Sequence, residues 1–223
     1  YFLFIHFCRP PTNLLKRYQN RNTTRNKREQ VWAVVTGPTS GIGLSMAKKL
    51  YVRGFSILLV GRSPERLTRV KDELLQMNLN QQVKIIEIDF SKAKPQSFHM
   101  IENELSLVDV GLLVNNVGMV LSNGLAYFIE TSAKEMAKIC EVNIKTMLLM
   151  TRLVLPRMIQ RKSGGIINMS SMSGLHASPM LATYAATKSF INSLSTSLSE
   201  ETSGLQYIDI QSVTPGFVST KMS

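Results

Sequence analysis

Cysteine and histidine are scarce in this chain. Two cysteines, Cys8 and Cys140, and three histidines, His6, His99 and His176, are scattered over 223 residues. With no CxxC and no paired spacing, a disulfide framework is excluded, and nothing has the pattern of a metal site. Long apolar runs are missing too. Tyr1–Cys8 (YFLFIHFC) is apolar, but far short of the ~20 residues that span a bilayer. There is no internal repeat and no interior linker. Acids are outnumbered, 15 against 26 bases, and the excess is local: Arg9, Lys16, Arg17, Arg21, Arg25, Lys27 and Arg28 follow one another without an acid.

A basic tail on a near-balanced body argues against nucleic acid as a partner. The tail reads either as a juxtamembrane segment drawn to anionic headgroups or as a solvated linker. Tyr1–Cys8 could be the end of a transmembrane helix, or a short strand or staple against the domain. The first residue is Tyr rather than Met, so an upstream start is expected. Membrane association is the working expectation for residues 1–30.

From Val31 the pattern changes. Apolar runs of strand length (31–36, 56–60, 83–88, 110–114, 165–169, 207–213) alternate with longer amphipathic stretches (44–53, 64–77, 95–105, 132–161, 183–201). Continuous apolar strands are buried on both faces, which requires a parallel sheet covered by helices. Strict β-α alternation predicts an α/β fold with a doubly wound parallel sheet, Rossmann-type, in three α/β/α layers. Residues 31–223 read as one domain. The long helix over 132–161 is expected to bend near Pro156.

Thr36-Gly37-Pro38-Thr39-Ser40-Gly41-Ile42-Gly43 closes the first strand and opens a helix. Glycines there permit a tight turn and close approach to a pyrophosphate, and the helix N-terminus offers free N–H groups. The second strand ends in Gly61-Arg62 with no acid. An acid at that point would bind a ribose 2′-hydroxyl. Arg62 is instead placed to meet a 2′-phosphate, which favours NADP(H), unless it is simply a solvated loop arginine. Asp89 ends the third strand, where it could accept from an adenine amino group or cap the turn before Ser91. Asn115-Asn116-Val117-Gly118 ends the fourth strand beside the same crevice.

Tyr184 and Lys188 are four apart on one helix face. Ser171 follows the fifth strand at the carboxyl edge, where such sheets bind ligands. Asn143 interrupts an apolar stripe of Met136, Cys140, Met147, Met150 and Val154, so it is a structural cross-link or part of a polar network. Carbonyl reduction by hydride needs a proton donor for the developing alkoxide. A phenol of ordinary pKa, about 10, serves better if a cation such as Lys188 lowers that value. Ser171 can position the carbonyl oxygen, and Asn143 could hold a water joining Lys188 to solvent.

These motifs make the chain resemble the short-chain dehydrogenase/reductases. The matching segments are TGPTSGIG (36–43), Asp89, NNVG (115–118), Asn143, Ser171, YAATK (184–188) and PGFVST (215–220). The resemblance implies a catalytic tetrad of Asn143, Ser171, Tyr184 and Lys188. It implies cofactor contacts at Gly37, Thr39, Ser40, Gly41, Ile42, Gly43, Arg62, Asp89, Asn116, Gly118, Tyr184, Lys188, Pro215, Gly216 and Thr220.

VWAVVTGPTSGIG, GLLVNNVGM, LVLPRM and GGIINMSSMSG are similar to the group holding 17β-hydroxysteroid dehydrogenases type 3 and type 12 and very-long-chain 3-oxoacyl-CoA reductases. That likeness implies NADPH, a hydrophobic ketone (a 3-oxoacyl-CoA or a 17-ketosteroid) and the endoplasmic reticulum membrane, with the catalytic domain facing the cytosol. Where Ser40 stands, relatives often carry an acid. Family members continue beyond the position of Ser223 with a substrate-covering segment, so the sequence reads as C-terminally truncated. The alternatives are a non-catalytic nucleotide-binding scaffold, against which Tyr184 and Lys188 argue, and a short-chain dehydrogenase acting on another lipid alcohol or ketone. Apolar surface on the 132–161 helix could support a homodimer.

Overall fold

A computed structural model describes residues 14–19, 30–77 and 80–218. Tyr1–Cys8, most of the basic run and Thr220 lie outside the described residues. The elements are α1 (Leu14–Arg17), β1 (Val31–Thr36), α2 (Gly41–Val52), β2 (Ser56–Gly61), α3 (Pro64–Leu75), β3 (Val83–Glu87), α4 (Pro95–Ser106), β4 (Asp109–Asn115), α5 (Ala133–Cys140), α6 (Thr146–Gln160), β5 (Gly164–Met169), α7 (Ala182–Glu201) and β6 (Ile208–Val213).

Every strand pairing is parallel, in the order β3-β2-β1-β4-β5-β6. β1 and β2 are buried at all their positions, as continuous apolar runs require. Side chains alternate between faces with period two. Trp32 and Val34 enter a core with Phe98, Ile101 and Leu105 of α4 and Met150, Val154 and Met158 of α6. Ala33 and Val35 enter the opposite core with Leu50 and Tyr51 of α2 and Leu67, Val70 and Leu74 of α3. The result is the expected three-layer doubly wound fold. The chain reverses its winding between β1 and β4, and a crevice forms there at the carboxyl ends of the strands.

Two departures from the sequence reading matter for the site. α2 begins at Gly41 rather than near Leu44, so the last two glycines of the motif lie in its first turn. The long helix is divided by a π-helical turn over Glu141–Lys145. The irregularity expected at Pro156 falls instead around Asn143, and α6 runs through Pro156. A π turn holds one extra residue, so it shifts the helical phase. Before it, Ile139 is buried and Cys140 exposed. After it the expected stripe of Met147, Met150 and Val154 is buried.

Residues 14–19, part of the basic segment in the sequence, are folded against the amino edge of the sheet. Tyr18 is buried. Arg17 donates twice to Asp209 on β6, both at 2.6 Å, and the Tyr18 hydroxyl donates to the same carboxylate at 3.1 Å. Arg161, also buried, donates to Asp109 (2.7 Å) and to the carbonyls of Tyr18 (2.9 Å), Val110 (3.1 Å) and Ser163 (3.1 Å). Its guanidinium thus joins the strap to the ends of β4 and β5. Arg161→Leu leaves several buried acceptors without their donor, and is expected to cost about 3–5 kcal/mol of unfolding free energy. Arg17→Ala, at a pair one-third exposed to solvent, is expected to cost about 1 kcal/mol or less. Urea denaturation of the two variants measures both.

Candidate active site

The first βα turn needs its glycines for two reasons. Gly37 (φ +64°) and Gly41 (φ +53°) adopt left-handed backbone, which a side chain disfavours. Gly43 makes room: a Cβ there would collide with Asn116 Nδ2 and the Gly37 carbonyl. Asn116 uses that room. Its side-chain amide donates to the carbonyls of Thr36 and Gly37, both at 3.0 Å. The Thr36 hydroxyl donates to Val114 O (3.3 Å) and accepts from the backbone N–H of Asn116 (2.9 Å) and Val117 (3.0 Å). Asn116, expected among the cofactor contacts, thus commits its amide nitrogen to holding the turn.

The N-terminus of α2 is left open. Ser40 is extended and makes no side-chain capping bond, and no acid stands in the first turn. Its first N–H groups therefore face the crevice as a donor set suited to an anionic pyrophosphate. Thr39, Ser40, Gly41 and Ile42 are all part-exposed around it. Arg62 is exposed at the end of β2. Asp89 caps the turn after β3, as one of its two readings anticipated, with Oδ1 accepting from Ser91 N (3.0 Å) and Ser91 Oγ (2.8 Å). Burial pushes its carboxyl up, but those hydrogen bonds and the charges of Arg62 and Lys92 outweigh burial and hold it below its ordinary value. Pro215 and Gly216 follow β6, and Pro215 O accepts from Met172 N at 3.0 Å, which ties that segment to the turn carrying Ser171.

Ser171, Tyr184 and Lys188 come together at this edge. Ser171 caps the short turn after β5, its Oγ accepting from Ser173 N at 3.1 Å, and it is close enough to the Tyr184 phenol to favour its ionised form. Lys188 is buried. Its Nζ lies 5.5 Å from the centre of the Tyr184 ring and donates to Met169 O at 2.8 Å. Burial pushes the ammonium down to about 8. The Tyr184 phenol is pushed up, because burial outweighs the opposing effect of Ser171. This corrects the expectation that Lys188 lowers the Tyr184 value. Both groups are governed by desolvation, and Tyr184 is a neutral phenol at physiological pH.

Asn143, buried in the π-helical turn, is a cross-link. Its Oδ1 accepts from Met119 N at 2.8 Å, and its Nδ2 donates to Met119 O and to Thr187 Oγ1, both at 3.0 Å. Gly118 sits beside it. A Cβ at Gly118 would lie at an ordinary contact distance, 3.5 Å, from both Asn143 Oδ1 and Lys188 Nζ, so the backbone at residue 118 passes close to both groups.

The sequence reading missed a buried polar ladder behind these groups. Asn115 Nδ2 donates to Thr151 Oγ1 (3.0 Å) and Asn168 Oδ1 (2.9 Å), and Asn168 Nδ2 donates to Ser195 Oγ (2.9 Å). It crosses from α6 through β4 and β5 to α7. Asn168 within the apolar run Gly164–Met169, and Thr151 beside Met150, were the visible signals.

A family model described as short chain dehydrogenase matches residues 31–223. The very-long-chain 3-oxoacyl-CoA reductase of Laccaria bicolor is 38% identical over 218 residues, covering 97% of this chain and 61% of that protein. The very-long-chain 3-oxoacyl-CoA reductase-A of Danio rerio is 42% identical over 194 residues, 86% of this chain and 59% of its own length. The chain thus spans about 60% of the length of these relatives. Among solved structures, a short-chain dehydrogenase from Sphingobium yanoikuyae in complex with NADPH superimposes with a TM-score of 0.78 at 28% identity, over 86% of this chain and 73% of that one. A 3-oxoacyl (acyl-carrier-protein) reductase from Agrobacterium tumefaciens with NADP bound gives 0.78 at 25% identity, over 86% and 72%.

The depressed Lys188 value has a sign that can be tested. Above about pH 8 the folded protein releases this proton while the unfolded chain keeps it, so the cost of burying the charge, full at lower pH, is relieved between about pH 8 and the ordinary lysine value near 10.5. Relative to Lys188→Met, the parent is expected to gain about 2 kcal/mol of stability between about pH 7 and pH 10. Paired urea denaturations at the two pH values measure the gain.

Proposed function

The chain belongs to the short chain dehydrogenase family, and on that premise we propose that it reduces a hydrophobic ketone, specifically a long-chain 3-oxoacyl-CoA, to the alcohol with NADPH. The carrying observation is the convergence of Ser171, Tyr184 and Lys188 beside the open N-terminus of α2. The names of the relatives support the acyl-CoA substrate. Arg62, with no acid at the end of β2, supports the phosphorylated nucleotide, and two structural neighbours hold NADPH or NADP.

The crevice fits a dinucleotide through its donor set and its glycine-lined turn. NADPH, when bound, supplies the hydride. Ser171 Oγ orients the substrate carbonyl oxygen by a hydrogen bond. Tyr184, kept protonated by burial, gives its phenolic proton to that oxygen as charge develops. Lys188 is mostly protonated at neutral pH, and its ammonium stabilises the phenolate left behind. A protonated Tyr184 favours reduction. Rising pH is expected to slow reduction first as Lys188 loses its proton near about pH 8, and again at higher pH as Tyr184 ionises.

Exposed apolar side chains at Leu125, Tyr127, Phe128 and Leu175, on loops following β4 and β5, supply a surface for an acyl chain. We place the reaction at the endoplasmic reticulum membrane, with the catalytic domain in the cytosol, on the strength of the apolar start and the basic run. Among the described residues no helix is long and apolar enough to cross a membrane.

NADPH consumption by the full chain, followed spectrophotometrically with a long-chain 3-oxoacyl-CoA and with a 17-ketosteroid, tests the proposal. Turnover of the thioester is expected; NADPH binding without turnover of any ketone would contradict it. Tyr184→Phe is expected to lower kcat by roughly 10²–10⁴ with the NADPH dissociation constant little changed. Arg62→Ala is expected to weaken NADPH binding by about tenfold or more through loss of a charge-assisted contact, leaving NADH binding unaltered.

A further inference from the structure

The hydroxyl of Thr187 has no role in the chemistry described above, yet it is buried among it. Thr187 is 1% exposed. Its Oγ1 donates to Tyr184 O at 2.7 Å and accepts from Asn143 Nδ2 at 3.0 Å. Asn143 in turn pairs with both the N–H and the carbonyl of Met119. A single hydrogen-bonded path therefore runs from the loop after β4, through the π-helical turn, to the first turns of α7. Each group on it has a fixed donor or acceptor role. The Thr187 proton is directed to Tyr184 O, so only a lone pair faces Asn143. The Asn143 oxygen is taken by Met119 N, so only its N–H groups face Thr187.

The attachment point is telling. Thr187 lies three residues after Tyr184 and one before Lys188, in the stretch of α7 that carries both. Any rotation or slide of α7 moves the phenol and the ammonium together. The remaining anchors of Lys188 are Met169 O, reached by Nζ, and Ser170 Oγ, which donates to Lys188 O at 2.8 Å. Both lie on the β5 side. Thr187 Oγ1 supplies the opposing tie, toward Met119 and the loop after β4. Without it the side-chain hydrogen bonds on this turn of α7 would all run to the β5 side.

We propose that Thr187 is a positioning residue for proton delivery: its hydroxyl, held by Asn143, sets the placement of α7 so that Tyr184 and Lys188 meet the carbonyl held by Ser171. The inference rests on the reductase reading for its kinetic consequence, while the geometric consequence is independent of any substrate. A misplacement of the order of 1 Å in a reacting group costs up to about a hundredfold in rate.

Thr187→Val removes the hydroxyl and keeps the branched shape. In the full chain it is expected to lower kcat for ketone reduction at least about tenfold, with a smaller change in the KM for NADPH because the α2 turn that faces the pyrophosphate is untouched. Thr187→Ser, which keeps the oxygen, is expected to restore kcat to near the parent value. The second readout is the ultraviolet phenolate titration of Tyr184, taken as the difference between each protein and its Tyr184→Phe partner. Thr187→Val is expected to move that titration toward the ordinary tyrosine range, as the phenol leaves its buried seat, and Thr187→Ser to leave it in place. If Thr187→Val does not fold, Thr187→Cys, with similar volume and a weaker hydrogen-bonding atom, takes its place with the same expectations. A lowered melting temperature with kcat and the Tyr184 titration unchanged would overturn the proposal. If the parent reduces no ketone, the reductase reading fails, and the titration alone decides on Thr187.

Discussion

Asn116 reaches across from the end of β4 and hydrogen-bonds the last carbonyl of β1 and the first carbonyl of the glycine turn, while the Thr36 hydroxyl takes the backbone N–H groups of Asn116 and Val117 in return. The rest of the crevice depends on this clamp. β1 and β4 are neighbours in the sheet, but their chains leave it for opposite layers, so their ends would splay without a tie. The clamp leaves no space for a side chain at residue 43, and Gly43 lies in the first turn of α2. One half-buried amide thus explains a glycine, fixes the start of the helix, and aims that helix's uncapped N–H groups into the crevice.

The same device recurs toward β5 and β6. Buried Asn and Thr side chains tie adjacent elements where the ladder of the sheet ends: Asn115 with Thr151 and Asn168, Asn168 with Ser195, Asn143 with Met119 and Thr187. Such groups are costly to bury unless paired, and pairing them fixes the elements they join. The dry surroundings also set the charge states. Lys188 and Tyr184 both shift toward their neutral forms. For a proton donor that is the useful direction, since the phenol must carry its proton until the carbonyl oxygen takes on charge.

Much of this was legible in the sequence. Six apolar runs located six strands, because a residue buried on both faces of a parallel sheet has no polar option. The glycine spacing located the turn, and Asn143 announced itself as a polar residue in an apolar stripe. What stayed hidden depended on contacts between distant segments. The Asn116 amide, expected only as a cofactor contact, also holds the last carbonyl of β1 and the first of the glycine turn, about eighty residues earlier. The π-helical turn leaves no compositional mark, so the stripe was read through it in one phase, and Cys140 was taken for the buried position that Ile139 holds. The docking of residues 14–19 rests on Asp209 and Arg161, far along the chain, where a run of bases suggested only a charged tail. Asp89 and Arg62 kept two readings each. For Asp89 the capping bonds are now visible, whereas Arg62 stands exposed and its role rests on a phosphate.

The central claim is that this edge of the sheet joins a hydride from the nucleotide to a proton from Tyr184 on one carbonyl. A single turnover of the full chain with NADPH deuterated on the transferring face of its nicotinamide and a long-chain 3-oxoacyl-CoA, read by mass spectrometry of the product, tests it most directly. The account predicts one deuterium on the carbinol carbon of the 3-hydroxyacyl product, and loss of that product when Tyr184 is replaced by Phe. Bound NADPH with no deuterium in any product, or equal labelled product from the Tyr184→Phe protein, would contradict it.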